Sequence, residues 1–255
     1  MNQKEYLRRI GISESEISPD LANLKILQRQ HLLHIPFENL DIHWKRPIIL
    51  DNENFYKKIV KSNRGGFCYE LNGLFYELLN SVGFQSKLIS ARVAKEKDVF
   101  GAEKDHMAIL TKIGDENYLV DVGFGSFIAE PLKLATDIEQ RDSAGTFLIK
   151  KRDDYFQVLK KDGENWDDVF IFKLKGYNLK DFAEMCNFYQ TSPDSHFTRK
   201  KVCSLMTENG RKTLTDNKFI KTESGKKSER KVDSEAEFYK ILEQEFKINP
   251  VFQTE

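Results

Sequence analysis

The hydrophobic period changes twice along this chain, and that change limits the folds open to it more than any single motif does. Up to about residue 84 the apolar residues recur at helical spacing. Ser18-Pro19-Asp20 announces a helix, with Ser as the cap and Pro where a missing N–H is harmless. Leu21, Leu24, Leu27, His31 and His34 follow on one stripe, and Ile35-Pro36 ends it. Asp51 caps a second helix carrying Phe55 and Ile59. A third opens near Cys68, with Leu71, Phe75, Leu78, Leu79 and Val82 on one face and Gly83 as its stop. From about residue 85 to 175 short β-rich runs take over, at 87–93, 106–112 and 118–122, separated by turn clusters such as Gly114-Asp115-Glu116-Asn117. They predict an antiparallel sheet or barrel. The remainder is mixed: a helix over 178–189 with Phe182, Met185 and Cys186 inward, then strand-like pieces at 201–206 and 211–222. A capping box at Ser234-Glu235-Ala236-Glu237 opens a closing helix that carries Phe238, Ile241, Leu242 and Phe246. Residues 221–231, five basic and two acidic, read as a solvated loop or hairpin. The fold class is α+β.

Composition excludes several functions. The 255 residues, 40% apolar and 31% charged, suffice for a core without staples. Forty basic and forty acidic residues give zero net charge, so neither nucleic acid nor a polybasic membrane contact is expected. No apolar run reaches the ~18 residues of a membrane span, and the first residues, Met-Asn-Gln-Lys-Glu, open no signal peptide. A cytoplasmic protein is expected. Cys68, Cys186 and Cys203 are an odd count without CxxC, and no histidine is spaced for zinc, so neither a disulfide framework nor a metal is expected. Cys186 and Cys203 read as filling; His31 and His34 read as half-buried packing residues, His43 follows a loop, and His196 lies in a turn.

The chemistry concentrates at Arg64-Gly65-Gly66-Phe67-Cys68. Two glycines turn the backbone sharply and the cysteine opens a helix, where the positive end of the macrodipole lowers a thiol pKa. A small core residue is the competing account, since Cys68 shares its stripe with Leu71 and Phe75. A nucleophilic thiol needs a base. His106 opens one β-run and Asp121 closes the next, on the same face of a hairpin. With residues 112–115 as the loop the two stand directly opposite; with 114–117 they are four residues out of step and out of reach. The pattern leaves both registers open. An acidic residue ending the apolar run Tyr118-Leu119-Val120-Asp121-Val122 nonetheless needs a partner if buried, and His106 is the natural one.

These residues resemble the arylamine N-acetyltransferase family, in its bacterial form. The matching motifs are Ile35-Pro36-Phe37-Glu38-Asn39-Leu40, Arg64-Gly65-Gly66-Phe67-Cys68, His106 before an apolar strand, and Asp121-Val122-Gly123-Phe124-Gly125. Thr191-Ser192-Pro193 running to Phe197, with Cys203-Ser204-Leu205, also resembles it, so the likeness spans most of the chain in the family's order. The resemblance implies a helical bundle over 1–84 bearing the nucleophile, a β-barrel with a connecting helix over 85–190, and an α/β lid over 191–255, around a cysteine-protease-like core. It implies a Cys68-His106-Asp121 triad, acetyl-CoA as donor, and arylamines or hydrazines as acceptors, acetylated in ping-pong fashion through an acetyl-cysteine. Phe37 and Phe124, with Val93 as a third, are expected around the acceptor's ring, and Gly123 and Gly125 along part of the CoA. Arg64 is expected to order the loop before Cys68 through an ion pair, with Glu38 as partner. The chain, which runs out at Asn249-Pro250-Val251-Phe252 and beyond, is expected to lack the longer C-terminal tail of animal members. A cysteine hydrolase using the same triad, or a non-catalytic ligand-binding member, are the alternative readings.

Overall fold

Local capping decides where the helices begin. The structure, a computed structural model, describes residues 1–13 and 17–249, so the chain end from Pro250 onward lies outside the described residues. After α1 (Gln3–Arg9) comes α2 (Leu21–His34). Its cap is Asp20 rather than Ser18: the carboxylate accepts the Asn23 N–H at 2.9 Å. A two-residue strand, β1 (Phe37–Glu38), and two short helices, α3 (Leu40–His43) and α4 (Asn52–Tyr56), follow. Asp51 caps α4 as expected, and α4 runs on into a π-helical turn at Lys57–Lys61. Next comes α5 (Cys68–Ser81), whose Leu71, Phe75, Leu78 and Leu79 pack with Leu24, Leu27, Phe55 and Ile59 in one core.

Nine strands come next: β2 (Gln85–Glu96), β3 (Val99–Phe100), β4 (His106–Ile113), β5 (Glu116–Val120), β6 (Leu132–Lys133), β7 (Gln140–Asp142), β8 (Gly145–Arg152), β9 (Tyr155–Asp162) and β10 (Asn165–Phe172). They form a sheet in the order β6-β5-β4-β2-β10-β9-β8-β7, with β3 paired to β2. The two edges meet through a side chain. Gln140 accepts from the Lys133 N–H at 2.8 Å and donates to the Lys133 carbonyl at 2.9 Å, so β6 and β7 nearly close a barrel. The strands against α5 bury both faces, which is why they read as continuous apolar runs. Leu88, Met107, Ile109 and Val120 point to the helical core, while Ile89, Ala108, Leu110 and Leu119 point into the barrel.

A short 3-10 turn at Leu179–Phe182 leads into α6 (Ala183–Thr191) and then α7 (His196–Arg199). A second antiparallel sheet contains β11 (Val202–Thr207), β12 (Gly210–Thr215), β13 (Lys218–Glu223) and β14 (Lys226–Lys231), and α8 (Glu235–Phe246) packs against it. The run expected over 211–222 is thus two strands broken at Asp216-Asn217, and 221–231 takes the hairpin form. Ser234 caps α8, its side chain accepting the Glu237 N–H at 3.2 Å, but the reciprocal half of the expected box is shifted by one residue: the Glu237 carboxylate accepts the Asp233 N–H at 2.9 Å rather than that of Ser234. This sheet's outer neighbour to β11 is β1, from the far N-terminal part of the chain. The same short segment touches the loop before Cys68, where Glu38 N–H donates to the Gly66 carbonyl at 2.8 Å. Gly65 is obligatory in that contact: a Cβ there would lie 2.1 Å from the Pro36 carbonyl oxygen. Among the described residues no helix is long and apolar enough to cross a membrane.

Candidate active site

The β4–β5 hairpin turns on two residues, Gly114-Asp115, with Ile113 opposite Glu116 and Ile109 opposite Val120. Neither of the two expected registers is present; the pairing lies midway between them. In this register Asp121 falls two residues from the position facing His106, on the same face, and it sits just past the end of β5 rather than in it. Diagonal neighbours at about 7–8 Å remain within side-chain reach. His106 Nε2 and Asp121 Oδ2 accordingly lie 2.6 Å apart, both buried.

Asp121 is itself held. Its Oδ1 accepts from Asn72 Nδ2 at 2.9 Å and from the Gly123 N–H at 2.8 Å. Asn72 also donates to the Met107 carbonyl at 2.6 Å and accepts the Val122 N–H at 2.9 Å. Standing one turn beyond Cys68 on α5, Asn72 fastens that helix to both sides of the hairpin. No motif marks Asn72, although a buried amide on an apolar face must find partners. Gly123 is required by the same approach: a Cβ there would lie 2.7 Å from Asn72 Nδ2 and 2.8 Å from Cys68 Cα.

Cys68 occupies the first position of α5 and is only 4% exposed. Burial pushes its thiol up, well above the ordinary range; a hydrogen bond from the Met107 backbone acts the other way, and the charge of Asp121 adds to the rise. The expectation of a lowered thiol is therefore corrected. The helix terminus alone favours a thiolate, but desolvation outweighs it.

Cys68, His106, Gly123, Phe37, Phe124 and Val93 line one cavity of about 610 Å³. Phe124 stands edge-on to the His106 ring, with centroids 5.0 Å apart at 88°. Gly125 does not line the cavity; it takes φ +88°, a conformation that favours glycine, and lies behind the Phe37 ring. Asp105 and Tyr189, which no motif marks, also line the cavity, as do Phe197, expected only as the end of a motif, and His196, expected only in a turn. His31 is deeper than expected. It is fully buried, shares a 2.9 Å hydrogen bond with the Tyr6 hydroxyl, and burial holds its pKa down at about 3.

On the other side of the first turn of α5 lies a buried ionic cluster. Arg64 meets Glu38 at 2.6 Å, the expected pair, and also Asp41 at 2.9 Å, with its guanidinium over the Trp44 ring at 4.6 Å. Lys58 reaches Asp41 at 2.7 Å and both oxygens of Glu70 at 2.8 and 2.9 Å. Burial pushes Glu70 up to about 7, despite Lys58. Its Oε2 also accepts the Phe67 N–H at 3.1 Å, which fixes the residue just before Cys68. Among the described residues no cluster of three His, Cys, Asp or Glu side chains could hold a metal ion.

The sequence profile for N-acetyltransferase matches residues 20–253. The arylamine N-acetyltransferase of Escherichia coli (strain K12) is 30% identical, over 94% of this chain and 86% of its own. Among solved structures, the arylamine N-acetyltransferase of Salmonella typhimurium superposes with a TM-score of 0.91 at 28% identity, covering 98% of this chain and 93% of that one. An arylamine N-acetyltransferase of Bacillus cereus, whose structure reveals a unique Cys-His-Glu catalytic triad, gives 0.90 at 25% identity, over 98% of this chain and 100% of that one. A match this long, by profile, sequence and fold alike, means that the chain belongs to the arylamine N-acetyltransferases, a family of acyltransferases.

Proposed function

We propose that the protein moves an acetyl group from acetyl-CoA to the nitrogen of an arylamine or arylhydrazine, by way of an acetyl group carried on Cys68. The observation that carries this reading is the buried 2.6 Å contact of His106 Nε2 with Asp121 Oδ2 in the wall of a cavity that Cys68 also lines. An ionised carboxylate only accepts hydrogen bonds, so Nε2 bears the proton and Nδ1 is the free base of the ring. With a Glu as third member in the Bacillus cereus relative, the shared requirement is a carboxylate, and Asp121 supplies it here.

A buried thiolate alone is disfavoured, so the thiol proton passes to Nδ1 and the charges appear together as an ion pair. Asp121 stabilises the imidazolium. Sγ then attacks the thioester carbonyl, the C–S bond to CoA breaks, and CoA leaves as its thiol after taking the His106 proton. We assign the developing oxyanion to backbone N–H groups at the start of α5 that are not spent on Glu70 or on the Phe67 carbonyl. In the second half the acceptor amine attacks the acetyl-cysteine, its proton goes to His106, and the Cys68 sulfur departs. The cavity's rim suits a polyanionic donor: Lys95, Lys200 and Lys201 line it, the first two exposed. Phe37, Phe124 and Val93 suit a flat ring. Gly123 and Gly125 bracket the segment we assign to part of the CoA, and we assign the described residues from 191 to 249 as the lid over a cysteine-protease-like core.

Mass spectrometry of the intact protein tests this. Acetyl-CoA alone should add one acetyl group, on Cys68, and an arylamine should then remove it as the N-acetyl product. No adduct on Cys68 would overturn the reading, and release of free acetate irrespective of amine would make the protein a hydrolase.

A further inference from the structure

Asp105 immediately precedes His106 and is the sole carboxylate among the described residues lining the cavity. Its Oδ1 accepts the Tyr189 hydroxyl hydrogen bond, and its Oδ2 accepts the Val93 N–H at 3.3 Å. Tyr189 is buried, with its ring edge-on to Phe197 at 5.2 Å and 74°. The carboxylate is thus fixed by residues from β2 and α6 on an otherwise aromatic wall. Among the described residues no cation pairs with it. Of the cavity's basic residues, His196 stands within electrostatic reach of Asp105, its ring 6.0 Å from that of Tyr189, without forming an ion pair with it; Lys95 and Lys200 are exposed, and Lys201 lies over the Phe238 ring at 4.7 Å.

An unpaired carboxylate in this position works against the nucleophile, since its charge adds to the rise in the Cys68 thiol. That penalty is offset when a bound molecule brings a positive charge or a hydrogen-bond donor to the same place. The donor CoA is polyanionic and does not do so; the acceptor can. Resting on the transfer reaction above, we propose that Asp105, held by Tyr189, selects acceptors: aromatic amines bearing a cationic substituent are preferred, and those bearing a carboxylate are rejected. Tyr189 is then a positioning residue, and Asp105 contacts the substituent rather than the reacting nitrogen.

The test starts from the acetyl-enzyme, its acetylation confirmed by intact mass, and follows single-turnover deacetylation by three acceptors of matched shape. These are (4-aminobenzyl)trimethylammonium, 4-aminophenylacetamide and 4-aminophenylacetate. The wild-type protein should favour the cation over the anion, with a ratio that shrinks as salt is added. Asp105→Asn, which keeps the hydrogen-bonding shape, should collapse that ratio by about tenfold or more. Tyr189→Phe leaves the charge in place but frees the carboxylate, so the cation-to-anion ratio should fall to a value between those of the wild type and Asp105→Asn. A common factor for the three acceptors in Asp105→Asn would mean a structural role and overturn the proposal. So would a wild-type ratio at or below one, which needs no variant to fold. Failure of the acetyl-enzyme to form at all would instead overturn the transfer reaction.

Discussion

Cys68 and Glu70 leave the same turn of α5 two residues apart and enter two different buried charge clusters. Around Glu70, three carboxylates and two cations are tied to one another within 3 Å, through Arg64 to Glu38 and Asp41 and through Lys58 to Asp41 and Glu70. Around Cys68, Asp121 has taken two donors on Oδ1 and the imidazole on Oδ2, which among the described residues leaves the second ring nitrogen of His106 uncommitted, beside a thiol whose only aid is the Met107 backbone. Burial makes both arrangements expensive to disrupt. The difference is spare capacity. A cluster whose members satisfy one another builds structure, and a cluster that ends in an unspent base beside an unspent nucleophile is equipped for chemistry.

The contrast breaks most visibly at the nucleophile. Cys68→Ser should lower transfer by on the order of 10³-fold or more, because an alcohol is a far weaker nucleophile, while the urea midpoint stays near that of the wild type. Substantial turnover by the serine variant would remove Cys68 as the acyl carrier. Asp121→Asn comes next. Asn72 and the Gly123 N–H both donate to Oδ1, so the amide oxygen stays with them and its NH₂ faces His106. That orientation makes Nε2 an acceptor and moves the ring proton to Nδ1, where a base is needed. Activity should fall by about 10²–10⁴-fold, with an unchanged fold, and a rate near wild type would place Asp121 outside the reaction.

The ionic cluster should give the converse result. Arg64→Met strips Oε1 of the fully buried Glu38 of both its guanidinium donors, and the loss of one member of a buried pair costs roughly 3–5 kcal/mol. Chemical denaturation measures that loss. The rate of Cys68 acetylation per folded molecule, measured at low temperature, should change far less than stability does. An equal fall in both would merge the two clusters into one functional unit.

Local signals account for what the sequence disclosed. The Asp51 and Ser234 caps, the stop at Ile35-Pro36 and the stripe of α5 all depend on residues within a turn or two of each other. The hairpin register did not show, because Gly114-Asp115-Glu116-Asn117 contains four turn-compatible residues and only the first two turn. β1 is two residues long, too short for any period, yet it joins the second sheet to the loop before Cys68. Asn72 and Tyr189 matter through partners 49 and 84 residues away, and neither has a neighbour in sequence that announces it. The Cys68 thiol departs from its expected value for the same reason. The helix terminus is a local fact, whereas the burial that outweighs it is tertiary.

The smallest effect concerns the imbalance of charges in the ionic cluster, three acids against two bases. Burial raises Glu70 from its ordinary 4.5 to about 7, so the folded protein holds that proton more tightly than the unfolded chain. Between these values the folded state binds the extra proton, and its stability falls as the pH rises. His31 runs the opposite way, since burial lowers it from 6.5 to about 3, and stability gained from it is lost as the pH falls through that range. From pH 4.5 to 6.5 the two slopes oppose each other, each at most about 1.4 kcal/mol per pH unit. Glu70→Gln keeps an oxygen for the Phe67 N–H and removes only the falling slope. Its stability relative to wild type should therefore climb with pH across that window and level off above pH 7, as read by urea midpoints at half-unit steps. A parallel pair of curves would mean that Glu70 titrates no differently in the folded protein than in the unfolded chain, and that the cluster near neutral pH carries a net negative charge rather than a shared proton.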